Sequence, residues 1–210
     1  MTTSLRSRIA LAMVKRQLPR IMATDPLADL ADGLHVAIVG SGSPLPDPKR
    51  GNPCVVVLAG HRLFMVDAGE GSSETLNRMQ VDAGRIEALL LTHFHSDHIG
   101  GIGSVNLQRW IADGEYSPMP VHGPPGVQRV IDGMNEAYAL DASYRTAHHG
   151  ETIAPPAAGV MEAHTFDLPD GEDSRVLIED GELKVTLFTV DHSPVEPAVG
   201  FRFDLSLIHI

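Results

Sequence analysis

An apolar run that ends in a knot of histidines constrains this chain more than any other stretch. Residues 89–101 read LLLTHFHSDHIGG, so His93, His95, Asp97 and His98 fall within six positions directly after Thr92. Ala88 to Leu91 has the length and bulk of a buried strand, and the Gly100-Gly101 pair permits close backbone approach. The histidines therefore belong to a strand-to-helix turn, where α/β sheets commonly present their chemistry.

The spacing has a chemical reading. His93 and His95, two apart in an extended segment, can direct both imidazoles to one side. Asp97 and His98 follow where the chain turns and can reach a neighbouring point. Two ligands for one ion and two for another suit a pair of metals roughly 3.5–4 Å apart. Imidazole and carboxylate donors without cysteine suit zinc, with manganese or iron as alternatives. Asp67 closes the predicted strand 62–66, and a carboxylate there can hold a ligand's second nitrogen or nearby backbone amides.

HFHSDH resembles the HxHxDH motif of the metallo-β-lactamase superfamily, whose fold is an αββα sandwich with a dinuclear site at one edge. VGSGSP (Val39–Pro44), FMVDAGEG (Phe64–Gly71) and VDHSPVEPAVGFRF (Val190–Phe203) resemble successive motifs of its ribonuclease Z branch. Similar segments occur in the arylsulfatase-like and cyclic-nucleotide phosphodiesterase relatives of that branch. The resemblance runs from about Leu34 to Phe203. It implies an α/β sandwich of that kind and a structural role for Asp67 at the site. It also implies that His192 completes a three-histidine set with His93 and His95, while Asp97 and His98 belong to the second metal. Two zinc ions are the expected cofactors of the complete protein. Glu70 matches an acidic position of the same pattern, although a carboxylate at a helix start has a plainer use against the helix dipole.

The chain departs from the resembled pattern at its end. The family continues with a Gly-Asp-Thr-like turn, whose aspartate bridges both metals, and with a further histidine. LSLIHI at 205–210 matches neither, so His209 is not taken as that histidine. Three parts are expected: a basic helical segment at 1–30, the metallo-β-lactamase-like domain at 31–204, incomplete at its C-terminus, and a tail at 205–210 foreign to the family. Strands 183–190 and 198–204 should then expose unpaired edges and apolar surface, which favours association, a homodimer included.

Composition narrows the setting. One cysteine, Cys54, excludes an internal disulfide and fits a reducing compartment such as the cytoplasm. The net charge of −11 argues against a broad nucleic-acid surface. Residues 1–24 carry Arg6, Arg8, Lys15, Arg16 and Arg20 and no acid, which leaves −16 on the rest of the chain. That segment reads as a terminal helix, with a membrane-surface or targeting role as the functional alternative. No apolar run reaches the roughly 20 residues of a membrane span.

Elsewhere the patterns predict a first strand at 34–39, a hairpin of 53–59 with 62–66, and helices at 72–81 and 102–111. A short strand at 119–121 follows. A helix from Val127 buries Val127, Ile131, Met134 and Tyr138 on one face. Strands at 160–166, 175–178 and 183–190 complete the set. His35, His61, His122 and His164 read as ordinary surface or sheet histidines. Tyr144, Arg145, His148 and His149 form a dense polar set, read either as substrate contacts or as a solvated helix end.

The resemblance implies a hydrolase of ester bonds in which metal-activated water attacks phosphorus and Asp97 orients that water as general base. The expected substrate is a phosphodiester, either an RNA 3′ end or a small or cyclic nucleotide. The absence of a long basic arm favours the small substrate. A sulfate ester or lactone on the same centre is the alternative within the enzyme class, and an inactive or regulatory binding module the alternative outside it.

Overall fold

The computed structural model describes residues 25–45, 47–112, 117–169 and 174–206. The basic segment at 1–24 and the final four residues lie outside them.

The first half of the chain builds a six-stranded sheet. β1 (Leu34–Gly40), β2 (Cys54–Ala59) and β3 (Arg62–Val66) form an antiparallel meander. The β2–β3 hairpin turns at Gly60, whose φ of 61° suits a residue without Cβ. β4 (Ile86–Leu90), β5 (Met119–Gly123) and β6 (Met161–Thr165) then add in parallel, each after a helical crossover. Those helices are α1 (Ser72–Met79), the one-turn α2 (Ser96–Ile99), α3 (Ile102–Ile111) and the long α4 (Val127–His149).

Alternation along the strands sends side chains into two cores. On one face Val56, Leu58, Met65, Leu89 and Val121 meet Leu76 of α1, Val105 of α3 and Ile131 of α4. On the other, Phe64, Ala88 and Leu90 meet Leu183 and Val185 of a second, antiparallel sheet. That sheet consists of β7 (Ser174–Asp180), β8 (Leu183–Thr189) and β9 (Val199–Leu205), in that order. Full burial of each such side chain is worth about 1.5–3 kcal/mol, so the sheet-to-sheet contact is a core and not a loose apposition.

The described residues thus supply a helix layer and two sheet layers of the expected αββα sandwich. β9 is an edge strand, and Leu34, Val36 and Ile38 of β1 stay 43%, 60% and 60% exposed. Helix α1 ends two residues earlier than the pattern predicts, where Gln80 takes a left-handed turn. β4 begins at Ile86 instead of Ala88, because Ile86 is itself buried and its carbonyl accepts a bond from the Arg109 guanidinium.

Candidate metal centre

Every side chain of the histidine knot hangs from a turn at the same end of the first sheet. β4 ends at Leu90, and Leu91 stays in register by donating its N–H to the His122 carbonyl at 2.8 Å. Thr92 to His95 then cross the strand ends, and His95 is the N-cap residue of α2, which carries Asp97 and His98. The fourth histidine comes from the other sheet. His192 follows β8, in a loop closed by the Val190 N–H donating to the Ala198 carbonyl at 3.0 Å. The Val199 N–H donates to the Thr92 carbonyl at 3.0 Å, which ties this loop to the first one.

The result is a convergence of three imidazoles. The His192 ring centroid lies 4.7 Å from that of His93 and 5.3 Å from that of His95. One ring nitrogen from each of the three falls within 4.8 Å of the others. His93 is buried, while His95 and His192 face solvent. The His98 ring stands 4.1 Å from His93, and its Nε2 is 3.8 Å from Asp97 Oδ2. Burial first, and the neighbouring His98 next, push the His93 pKa down to about 4, so that ring is neutral at pH 7.

Beneath the rings, Asp67 acts as the anchor. Its backbone sits at φ 56°, left-handed and uncommon outside glycine, which turns the carboxylate under the metal loop. Oδ1 accepts from the Thr92 N–H at 2.9 Å, and Oδ2 accepts from the Thr92 hydroxyl at 2.7 Å and from His98 Nδ1 at 2.7 Å. These bonds dictate tautomers. The carboxylate only accepts, so His98 carries its proton on Nδ1 and leaves the Nε2 lone pair free. The Thr92 hydroxyl spends its proton on Asp67 and accepts from His93 Nδ1 at 2.9 Å, so His93 Nε2 carries no proton and accepts from His95 Nδ1 at 2.9 Å. Thr92 was not singled out in the sequence. A lone threonine in a loop carries no spacing signal, and its role exists only once Asp67 is folded beneath it.

The donor set fits a first-row divalent ion. Three imidazoles that each bring a ring nitrogen within 4.8 Å of the others match the nitrogen-rich sites such ions prefer. Asp97, buried at the edge of the cluster, adds a carboxylate.

Residues 47–196 match the Metallo-beta-lactamase superfamily. The chain belongs to that superfamily. Within it, 173 residues are 38% identical to the ribonuclease Z of Mycolicibacterium gilvum and 40% identical to that of Mycolicibacterium paratuberculosis. In each case the match covers 81% of this chain and 57% and 59% of the relatives' own lengths, so the chain spans less than two thirds of either. The crystal structure of the short form of human tRNase Z superimposes with a TM-score of 0.61 at 25% identity, over 81% of this chain and 63% of that one.

The polar set on α4 lies elsewhere. That helix starts beside the metal loop, where Gly126 at φ 114° leaves room for the Phe94 ring. It then runs 23 residues, about 34 Å at 1.5 Å per residue. Near its far end Ala142 packs against Trp110 at the close of α3, and the Thr146 hydroxyl donates to the Ala154 carbonyl. Tyr144, Arg145, His148 and His149 therefore stand on the part of α4 that runs away from the histidine cluster. Arg145 is held by Asp141 through a 2.7 Å bond. A cleft of about 640 Å³ lies at the opposite end of β3 and β4 from the metal-site histidines, and its Arg62 is paired with Glu87 and Asp180. A cleft of about 390 Å³ between Leu168, Val190, Glu196 and Pro197 flanks the His192 loop instead.

Proposed function

We propose that this chain carries the metal site of a phosphodiesterase whose substrate is an RNA 3′ end or a small nucleotide ester. The convergence of His93, His95 and His192 from two different sheets is the observation that supports it. Zinc suits the donors best, with manganese or iron as alternatives. His93, His95 and His192 would hold one ion, and Asp97 with His98 would contribute to a second. When bound, such an ion polarises a phosphoryl oxygen and lowers the pKa of a water to about 7.

The chain's own groups do the positioning. Asp67 holds His98 and, through Thr92, His93 in the tautomers that carry the proton on Nδ1. Asp97 is buried at the cluster and accepts a proton at its carboxylate from the attacking water while orienting it toward phosphorus. The cleft beside Val190 and Pro197 offers apolar wall to the part of the substrate next to the reacting ester. Among the described residues no helix is long and apolar enough to cross a membrane. A buried, inert Cys54 is compatible with the cytoplasm.

Metal analysis combined with turnover of bis-p-nitrophenyl phosphate and p-nitrophenyl sulfate tests the reading. The expected result is metal-dependent cleavage of the phosphodiester that Asp97→Asn removes while bound metal is largely retained. Preferential cleavage of the sulfate would favour a sulfatase. Bound metal with no turnover of either, in this chain and in a longer natural form, would favour a binding module.

A further inference from the structure

β5 and β6 each carry one histidine outside the metal centre, and their parallel pairing sets the two side by side. His122 lies directly opposite His164, one step along from Pro120 opposite Glu162. Met119, Val121 and Met161 point into the helix-covered core, so alternation sends His122, Glu162 and His164 to the other face of the sheet. Leu90, the neighbour of His122 on β4, shares that face. The two rings lie stacked, with centroids 4.9 Å apart and planes inclined by 22°. His164 Nε2 stands 3.9 Å from Glu162 Oε2, and these side chains are 41% and 63% exposed, so both have room to turn. Among the described residues, no hydrogen bond occupies a nitrogen of either ring. Burial first, and His164 next, push the His122 pKa down to about 4, so that ring is neutral at pH 7 and keeps a lone pair for a ligand. The charged neighbours that act on it are His164 and Glu87, not the histidines of the metal centre.

We propose that His122, His164 and Glu162 form a second divalent-metal site, separate from the His93, His95 and His192 cluster, which takes zinc with water as its fourth ligand. Two imidazoles and one carboxylate are a donor set that zinc accepts in a tetrahedral site with one open position. Bonds of about 2.0–2.1 Å to nitrogen and about 2.0–2.2 Å to oxygen let one ion span at most ~4.3 Å between two ligand atoms. The separation of His164 and Glu162 is already below that limit. Burial holds the His122 ring, and binding turns the exposed His164 ring out of the stack so that its nitrogen aims at the ion beside that of His122. Adjacent strands lie about 4.7–4.9 Å apart, which places two opposed histidines within reach of a single ion. β6 is the last strand of the first sheet, and an ion held this way clips it to β5.

Zinc titration of the full 210-residue chain by calorimetry, together with diethyl pyrocarbonate modification mapped by mass spectrometry, tests this. The unsubstituted chain should show a second, weaker binding event besides that of the three-histidine cluster. His164→Gln and Glu162→Gln, changes at exposed side chains that leave the fold intact, should each weaken that event by at least ~10-fold. His192→Ala should leave it in place. Zinc should also slow modification of His164 by at least ~10-fold, in the unsubstituted chain and in His192→Ala alike, a readout that needs no change at the pair itself. An event of unchanged affinity in His164→Gln would overturn the proposal. So would protection of His164 that is lost in His192→Ala, or no protection of His164 at about 100 µM zinc.

Discussion

Replacing Asp67 separates the anchor of the metal loop from the metal itself. In metal-free protein its buried carboxylate accepts three bonds: from the Thr92 N–H, from the Thr92 hydroxyl and from His98 Nδ1. Hydrogen bonds to a charged group are worth about 1.5–3 kcal/mol each, but the hydroxyl and the imidazole regain water once released. Asp67→Ala should therefore cost about 3–5 kcal/mol, with the Thr92 N–H left unsatisfied. Backbone geometry supplies an internal control. At φ 56° alanine is strained and glycine is not, so Asp67→Gly should be about 1 kcal/mol less destabilised than Asp67→Ala, although it removes more atoms. Asp67→Asn keeps one oxygen and should cost about 1–2 kcal/mol, while forcing His98 to accept at Nδ1 and carry its proton on Nε2. Urea unfolding in EDTA, followed by the fluorescence of Trp110, the sole tryptophan, measures all three. A loss below about 1 kcal/mol for Asp67→Ala, or glycine no better than alanine, would refute the anchoring role.

Four further outcomes are expected. His192→Ala should weaken the tightest metal binding seen by calorimetry by at least the ~10–100-fold that loss of a supporting partner costs; unchanged affinity would remove His192 from the site. Ile131→Ala, at a side chain 1% exposed, should cost about 2–5 kcal/mol in the same urea assay, and under 1 kcal/mol would mean that α4 is not seated as described. His122 is pushed down to about 4, by burial first and by the stacked His164 next. The unfolded chain, near 6.5, then binds the proton first, so stability is complete above pH 6.5 and falls as the pH drops through 4. With its partial exposure discounted the loss is on the order of 1–2 kcal/mol, and His122→Phe should flatten that slope between pH 4 and 7. Burial pushes the Cys54 thiol up to about 12, so thiol reagents at pH 8 should modify it only after unfolding; labelling of native protein would contradict its placement.

What could be read in the sequence was local. Ile102–Ile111 and Arg62–Val66 have the predicted bounds because turn residues and periodicity fix both ends within the segment. His93, His95, Asp97 and His98 could be singled out because one turn holds all four. His192 is 94 positions beyond His98, and only resemblance joined it to them. Tyr144 to His149 read equally as substrate contacts or as a solvated helix end because dense polar residues look alike from sequence. Their location depends on the direction and length of α4, which is set by where Val127 and Ile131 bury. Asp67 could be singled out as a carboxylate at a strand end, but Thr92 stayed hidden because it gains its role from a contact with Asp67, 25 residues away in the chain.

The position of the cluster also couples the two sheets. His93 and His95 leave the first sheet at the end of β4, His192 leaves the second at the end of β8, and the Val199 N–H to Thr92 carbonyl bond crosses between them. Behind that crossing lie Leu187 and Val199, buried with Phe166, so the ligand geometry is backed by apolar packing and not by the loops alone. An ion shared by the three imidazoles would bind only the docked arrangement, and its binding free energy would add to the docking of β7–β9 on the first sheet. The apolar contacts of Phe64, Leu90 and Val185 draw the sheets together without specifying their offset along the strands to ångström precision. Three nitrogens sharing one ion would specify it. Hydrophobic burial thus supplies the force that brings the strand ends together, and an ion held by the histidines would fix the register in which they meet.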